Sequence, residues 1–276
     1  MALSLAYHAD TTLPVEVEGI TPDVTANKSA AEIGRLLIYR GNEQLALGEL
    51  FSVSGDASDG VLRWAGNLAG VHWIGAKMTR GQIHVAGPAG RHVGSEMEGG
   101  EIFVDGDAGD WAGGEMHGGL LRIHGHAGHL VGAAYRGSPR GMTGGTILIH
   151  GNAGNEIGHT MRRGLIAIAG QAGDLAGFNM LAGSVLLFGA SGIRHGAGMR
   201  RGTIGLFGDP RPELLSSFRY ACRYRPDFLA LMFVHLRHHG FPVAEALAQA
   251  EFELFHGDLL EGGRGEILVK APDNRA

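Results

Sequence analysis

The sequence predicts a mainly β protein, specifically a three-sided right-handed parallel β-helix of about eight coils with a C-terminal helical cap. Three observations predict it: an excess of glycine, a repeat of 19 residues and a set of methionines in register with that repeat. Glycine accounts for 48 of 276 residues, and 37 of those 48 lie between Gly66 and Gly208. Because the glycine is confined to one stretch and follows no Gly-X-Y period, it indicates a local geometric need rather than collagen or disorder.

The repeat becomes visible when the sequence is aligned on its glycines. Each unit has two alternating apolar residues, then G-x-x-G-x-x-x-G, then a methionine shortly before a closing glycine. One unit, Leu120–Gly145, carries seven extra residues around Ala134–Arg140, and Val61–Gly81 carries two. The 19-residue units are Gln82–Gly100, Glu101–Gly119, Thr146–Gly164, Leu165–Gly183 and Ser184–Gly202, and the methionines are Met78, Met97, Met116, Met142, Met161, Met180 and Met199.

The length of the unit favours stacked coils. Nineteen residues are too few for a strand, a crossover helix and a second strand. At roughly 3.3 Å per residue, one unit traces about 60 Å, which is enough for a coil with three sides. Stacking such coils about 4.8 Å apart would align the methionines into an internal ladder. Glycine is expected at the corners, where a positive φ or a close backbone approach excludes a Cβ.

The composition divides the chain into three parts: an N-terminal cap and lead-in coil (1–60), the repeat array (61–210), and a C-terminal helical segment with a final strand (211–276). In the first part, Ser29 and Glu32 have the spacing of a capping box before Ile33. The N-terminal part is expected to cover one open end of the array, and the C-terminal helices are expected either to cover the other end or to dock onto a partner. In the last part the pattern predicts helices over Glu213–Tyr224, Asp227–His239 and about Val243–Ala250, and a strand ending at Val269.

The bulk composition excludes several classes of protein. A net charge of −5 argues against a nucleic-acid binder that relies on a broad basic field. The single cysteine, Cys222, forms no internal disulfide, and its aromatic context predicts core packing. The apolar run from Phe228 to Val234 is too short to span a bilayer. The first residues lack the basic region and apolar core of a signal peptide, so a cytoplasmic location is expected.

The residues that could carry chemistry do not converge in the sequence pattern. His84, His124 and His150 are assigned to one outward position of the coils, too far apart for one metal, so no metal site is predicted. His126 and His129 follow on the same coil as His124. Asp105, Asp107 and Asp110 are interpreted as turn residues. His235, His238 and His239 complement a helix dipole. No catalytic residue is therefore predicted.

Two surface features remain as candidates for binding. Arg80, Arg162, Arg163, Arg200 and Arg201 lie just before closing glycines and would line one edge of the array. A solvated corner is the plainer interpretation, and contact with an acidic partner or a polyanionic coenzyme tail is the sharper one. The outward Trp111, Tyr135 and Phe178 suggest a contact surface.

The glycine array, with M-x-G-G-x-I-x-V-x-G between copies, resembles the β-helical domain shared by the glutamate synthase large subunit and the C subunit of formylmethanofuran dehydrogenase. Gly41-Asn42 followed by Leu47–Val53, and Gly257-Asp258 followed by Glu261–Leu268, resemble the two ends of the latter family. Glutamate synthase would require an amidotransferase domain with an N-terminal cysteine, and residue 2 is alanine. Within the family, the sequence looks most similar to the C subunit of the bacterial formyltransferase/hydrolase complex of methylotrophs.

The resemblance implies a cytoplasmic hetero-oligomer with an amidohydrolase-like A subunit, a B subunit and a formyltransferase D subunit. Such a complex passes a formyl group from formyl-tetrahydromethanopterin to a methanofuran-like carrier and releases formate. The family places no catalytic residue and no cofactor on the C subunit, which implies a scaffold. Three alternatives stay open: the archaeal dehydrogenase branch, a stand-alone β-helix enzyme, and a ligand-binding solenoid without partners.

Overall fold

The structure is a computed structural model that describes residues 3–272. It is mainly β, which confirms the predicted class. The strands are β1 (Leu3–Tyr7), β2 (Val15–Glu16), β3 (Leu37–Arg40), β4 (Glu43–Ala46), β5 (Phe51–Ser54), β6 (Val61–Ala65), β7 (Val71–His72), β8 (Gln82–Ala86), β9 (Glu101–Val104), β10 (Leu120–Ile123), β11 (Thr146–Ile149), β12 (Leu165–Ile168), β13 (Ser184–Leu187), β14 (Gly202–Leu206), β15 (Arg219–Tyr224), β16 (Phe252–Gly257) and β17 (Gly265–Lys270). The helices are α1 (Pro22–Thr25), α2 (Ala30–Gly34) and α3 (Asp227–His238), with 3-10 turns at Leu47–Glu49, Glu245–Gln249 and Leu259–Glu261.

One sheet of 13 strands dominates the fold, in the order β15-β16-β17-β14-β13-β12-β11-β10-β9-β8-β6-β1-β5. In this sheet, β6 and the strands β8 to β14 each pair in parallel with the strand of the next repeat, so that Ile83 faces Ile102 and Ile102 faces Leu121. Further parallel bridges join small residues of successive repeats, such as Ala89 to Ala108 and Ala108 to Ala127. The repeat therefore places equivalent residues on top of one another. The three-sided right-handed winding and the number of coils stay predictions.

The methionine ladder lies in the core, as predicted, since all seven methionines of the repeat are fully buried. The structure also shows why each methionine is paired with a closing glycine one repeat later. A Cβ added to Gly119 would lie 2.6 Å from Met97 Cε and 2.6 Å from the carbonyl oxygen of Gly100. The methionine methyl thus fills the space that a side chain at the closing glycine would need.

The N-terminal segment lies at one end of the large sheet and also forms a second sheet. Strand β1 is inserted between β6 and β5, and a four-stranded sheet follows the order β4-β3-β2-β7. The predicted capping box is present at α2, where the Ser29 amide donates to Glu32 Oε2 at 2.8 Å and the Glu32 amide donates to Ser29 Oγ at 3.3 Å. Residues 1 and 2 lie outside the described part of the chain.

The C-terminal segment differs from the prediction of a mainly helical cap. The predicted helix over Glu213–Tyr224 is wrong, because Arg219–Tyr224 forms β15, which pairs antiparallel with β16. Strands β17, β16 and β15 continue the large sheet beyond β14. Cys222 lies on β15 and is exposed, so its predicted core packing is also wrong. The helix at Asp227 and the final strand are confirmed, and residues 273–276 lie outside the described part.

Helix α3 packs on the outer face of the sheet rather than over its end. Its Leu229, Phe233 and Leu236 are buried in a cluster with outward residues of the middle strands, among them Leu148 and Leu186. The Arg122 guanidinium holds the helix end to the sheet, since Nη1 donates to the His239 carbonyl oxygen at 3.0 Å. The same guanidinium lies 4.7 Å above the Phe103 ring. A second apolar core thus forms outside the sheet.

Candidate functional site

A stack of three flat rings lies along one corner of the repeat array. Trp73, His92 and Trp111 occupy the same position in consecutive repeats, each with a left-handed φ of 65°, 64° and 56° respectively. Their backbone amides each donate to a carbonyl of the following repeat, as Trp73 N does to Arg91 O at 3.0 Å. The ring centroids of Trp73 and His92 are 4.0 Å apart with planes 3° apart, and those of His92 and Trp111 are 5.5 Å apart at 12°. The regular register thus converts a 19-residue spacing into a ring stack.

The insertion at Ala134–Arg140 folds back over this stack. Its Tyr135 ring lies 5.7 Å from His92 and 6.2 Å from Trp73, at 55° to both. The Tyr135 amide donates to Glu115 Oε1 at 2.9 Å. Gly141 N donates to the Thr160 carbonyl oxygen at 3.0 Å, so the end of the insertion returns to the regular array. In repeat proteins such insertions often build the binding face.

A cavity of about 240 Å³ opens between the stack and the insertion. Trp111 and Tyr135 contribute ring surface to its lining, and Glu156, His159 and Thr160 contribute polar groups. His159 Nδ1 lies 3.2 Å from Glu156 Oε2. The Phe178 ring lies 5.0 Å from the His159 ring. The cavity therefore has one flat apolar wall and one polar wall, as in many ligand pockets.

The electrostatics of the ring stack favour a neutral histidine. Burial lowers the pKa of His92 to about 4, and the Arg91 charge acts in the same direction. Burial also raises the pKa of the Tyr135 hydroxyl well above its ordinary value. His92 Nδ1 and Trp111 Nε1 are buried, and neither has a hydrogen-bond partner among residues 3–272. At neutral pH the corner thus presents uncharged rings, and His92 Nδ1 and Trp111 Nε1 are unsatisfied polar atoms among them.

The structure brings together the three outward aromatic residues that the sequence suggested as a contact surface. Trp111 and Tyr135 line the cavity, and Phe178 packs on His159 at its polar wall. Sequence reasoning missed Trp73 and His92 as members of the stack. The missed signal was simple: Trp73, His92 and Trp111 are each separated by 19 residues.

The histidines and acids of the corner turns have a structural role. The backbone amides of His126 and His129 donate to Asp107 Oδ1 at 2.7 Å and Asp110 Oδ1 at 2.8 Å. The Nδ1 atoms of the same histidines accept from the backbone amides of Asn152 and Asn155 in the next repeat. The interpretation of Asp107 and Asp110 as turn residues is refined accordingly: each turn side chain satisfies a backbone amide of the following repeat.

The assignment of His84 to the position of His124 and His150 is wrong. His84 pairs in register with Phe103, and Phe103 with Arg122. His124 and His150 do share a position, with ring centroids 5.0 Å apart, and His124 Nδ1 lies 3.4 Å from Asp105 Oδ1. Among residues 3–272, no group of three or more His, Cys, Asp or Glu side chains is arranged to hold a metal ion.

Comparison with known proteins identifies the family. One chain in the crystal structure of the formyltransferase/hydrolase complex (FhcABCD) from Methylorubrum extorquens in complex with methylofuran is 34% identical and superposes with a TM-score of 0.90. The match covers 97% of this protein and 99% of that chain. The chain belongs to the family of formylmethanofuran dehydrogenase and formyltransferase/hydrolase C subunits. No model of a protein family matches the sequence.

Curated members of the family match over a shorter segment. The C subunit of the formyltransferase/hydrolase complex Fhc from Methylorubrum extorquens is 36% identical over 90 residues, which is 33% of this chain and 34% of that protein. The C subunit of the molybdenum-containing formylmethanofuran dehydrogenase 1 from Methanosarcina barkeri is 38% identical over 85 residues, 29% of this chain and 28% of that one. The C subunit of the tungsten-containing formylmethanofuran dehydrogenase 2 from Methanothermobacter marburgensis is 43% identical over 85 residues, 29% of this chain and 32% of that one. The chain thus spans about a third of the length of the curated relatives that it matches.

Within this member of the family, the five arginines of the predicted edge fall into two groups. Arg80 Nε lies 3.4 Å from Asp23 Oδ1. Arg80 and Arg163 occupy equivalent positions four repeats apart, so their backbones are about 19 Å apart at the usual strand spacing. Arg162, Arg163, Arg200 and Arg201 are exposed and two repeats apart, and Arg200 Nε lies 3.2 Å from Glu261 Oε2. A cavity of about 300 Å³ adjoins Arg200. Only the last four arginines therefore form a local basic patch.

Proposed function

We propose that this protein is the scaffold subunit of a formyltransferase/hydrolase complex. The whole-chain likeness to one chain of such a complex, at 34% identity and a TM-score of 0.90, is the observation that carries the proposal. The partners would be an amidohydrolase-like A subunit, a B subunit and a formyltransferase D subunit, assembled in the cytoplasm. Among residues 3–272, no helix is long and apolar enough to cross a membrane.

The proposed reaction of the complex is the transfer of a formyl group from formyl-tetrahydromethanopterin to a methanofuran-like carrier, followed by hydrolysis to formate. The solved relative was crystallised with methylofuran, which supports a carrier of this type for the complex. We assign no catalytic residue, metal or bound cofactor to this chain. Its contribution would be to hold the catalytic subunits at a fixed separation while the carrier moves between them.

The repeat suits such a role if it winds as a three-sided right-handed β-helix of about eight coils. The supporting observation is that parallel pairing joins every strand of the large sheet from β6 to β14 to its neighbour, and small residues form a further line of parallel bridges. A body cross-linked by backbone hydrogen bonds along its whole length would keep its partners at a constant spacing. It would offer stacked flat surfaces for docking.

Two surfaces are proposed as contacts within the complex. The aromatic corner of Trp111 and Tyr135 would take a planar group of a neighbouring subunit into its cavity, because unsatisfied polar atoms and ring surface meet there. The basic patch of Arg162, Arg163, Arg200 and Arg201 would contact an acidic partner or a polyanionic tail of the carrier. Both would be covered or occupied in the assembled complex.

The assembly is tested by affinity purification of the tagged full-length chain from its native cells, with identification of the copurifying chains. We expect amidohydrolase-type and formyltransferase-type subunits in fixed ratio, formyl transfer by the complex, and none by the chain alone. Recovery of the chain without partners, or turnover by the pure chain, would overturn the scaffold proposal. Turnover by the pure chain would support a stand-alone enzyme instead.

The basic patch is tested in the same complex by replacing its four arginines with serine. The matched control is Arg80→Ser, which removes an arginine of the same edge that pairs with Asp23. We expect the fourfold variant to lose subunits or to raise the KM for the carrier, and the control to behave as wild type. Equal assembly and equal kinetics in the two variants would refute a role for the patch.

The archaeal dehydrogenase branch is a second candidate, because archaeal C subunits share 38% to 43% identity with an 85-residue segment. In that case the purified complex would contain a molybdenum- or tungsten-pterin subunit. Metal analysis of the native complex separates the two candidates. A molar equivalent of molybdenum or tungsten would favour the dehydrogenase, and its absence with formate release would favour the hydrolase.

A further inference from the structure

Helix α3 carries apolar side chains on both of its sides. Its inner side, Leu229, Phe233 and Leu236, is buried against the sheet with at most 1% exposure. Its outer side carries Phe228, Leu231 and Val234, which are 39%, 73% and 62% exposed. We call these three residues the outer stripe; they are spaced by three positions and so lie along one side of the helix.

Anchoring α3 to the sheet needs only its inner side. A surface helix normally has polar residues on the opposite side, and a helix that is apolar all round is typical of a buried position. The outer stripe is therefore unexplained by the fold of this chain alone. Contiguous apolar surface on an otherwise polar exterior marks a protein contact.

Side chains that donate hydrogen bonds flank the outer stripe. Arg225 precedes the helix, and His235 and His238 follow the stripe; all three are exposed. The rings of His235 and His238 lie 4.7 Å and 5.4 Å from that of His239. The exposed Asp227 is the single acidic residue within the helix. A partner that covers the stripe would gain from carboxylates at its edge.

The same flanking groups disfavour a second copy of this chain. Two outer stripes placed against each other would bring Arg225, His235 and His238 of one copy against the same donors of the other. Asp227 is the single carboxylate that the helix offers to accept from them. Polar groups left without a partner at a contact select against that partner.

We propose that the outer stripe of α3 docks an apolar, acid-rimmed segment of a different subunit of the complex. The inference rests on the proposed function, because it requires that the chain assembles with other subunits. It places α3 between the sheet of its own chain and the surface of the partner. It also explains why both sides of this helix are apolar.

Site-specific photo-crosslinking within the assembled native complex tests the occupant. A photoreactive residue is placed at Leu231, with the same residue at Leu13, which is 53% exposed and lies on the loop between β1 and β2, as the control. We expect Leu231 to crosslink to one other subunit, at a segment with apolar residues flanked by Asp or Glu. A crosslink to a second copy, a crosslink to a segment without acidic residues, or no crosslink to any protein would overturn the proposal.

A paired substitution gives an independent readout. Leu231→Asp combined with Val234→Asp should reduce recovery of the crosslinked subunit at least about tenfold, which corresponds to about 1.4 kcal/mol. The control, Leu13→Asp, should retain it. Because the stripe is exposed, both variants should melt like wild type. Full recovery of every subunit with the double variant would refute the docking surface. If wild type itself recovers no partner, the proposed function fails instead.

Discussion

The ring stack makes a sharp prediction about acid sensitivity, because His92 is held neutral between Trp73 and Trp111. Its pKa is lowered from 6.5 to about 4, mainly by burial. Between about pH 6.5 and pH 4, His92 is therefore protonated in the unfolded chain and neutral in the folded chain. Stability should fall as the pH drops from about 6.5 to about 4, and this group should add no further loss below that range. A difference of about 2.5 between the two pKa values would correspond to about 3.4 kcal/mol for a fully buried group. Because His92 is only partly buried, solvent screening reduces the expected loss to about 1 to 2 kcal/mol.

The assay is urea unfolding of the purified chain at several pH values between 7 and 4, comparing wild type with His92→Phe. Phenylalanine keeps a flat ring in the stack and has no titrating group, so the variant should lose less stability at low pH than wild type does. The matched control is His8→Phe, which removes an exposed imidazole and retains His92. An NMR titration of His92 with a midpoint of 6 or above would refute the reasoning, as would equal pH dependence in wild type and His92→Phe.

Three further predictions concern the fold. In the urea assay, Gly118→Ala should reduce the free energy of unfolding severely, because the new Cβ would lie 2.2 Å from the Glu98 carbonyl oxygen. The control Gly70→Ala should leave it nearly unchanged, because a Cβ there has no atom within 4 Å. Met116→Ala should cost about 2 to 5 kcal/mol in that assay, because a fully buried side chain is removed. Arg122→Ala should increase amide hydrogen exchange in α3 with little change in β8 to β14, since it removes the 3.0 Å bond to the His239 carbonyl.

The repeat could be predicted from the sequence because its physical causes are local and periodic. The apolar pairs, the glycines and the methionines each recur at one spacing, and the structure stacks them residue for residue. The link between each methionine and the closing glycine one repeat later has no such signal in the sequence. It depends on which atom fills the space above the glycine, and only the packed core determines that.

The C-terminal segment is harder to predict because its structure depends on distant partners. Arg219–Tyr224 has apolar neighbours that suggest a helix, but its pairing with Phe252–Gly257 determines a strand. The position of α3 does have a signal in the sequence. Leu148 and Leu186 are apolar at outward positions of their strands, which indicates that another element covers that face.

In the candidate site, too, the residues that belong to the repeat could be predicted from the sequence, and those of the insertion could not. The stack of Trp73, His92 and Trp111 follows directly from the 19-residue spacing. The position of Tyr135 does not, because the insertion that carries it has no counterpart in the other repeats. Its placement depends on the Glu115 carboxylate, which accepts from the Tyr135 amide.

The sheet face under α3 and the corner of the ring stack are both covered only in part by the chain itself. On the sheet face, helix α3 covers the outward apolar residues of the strands, and its own outer stripe is apolar and exposed. At the corner, the insertion covers the ring stack only in part and leaves Trp111 Nε1 without a partner among residues 3–272. A repeat array that needed only to be stable could end each surface with polar side chains. Because both surfaces instead keep apolar or unsatisfied groups at their outermost layer, the departures from the repeat are where a partner would be recognised.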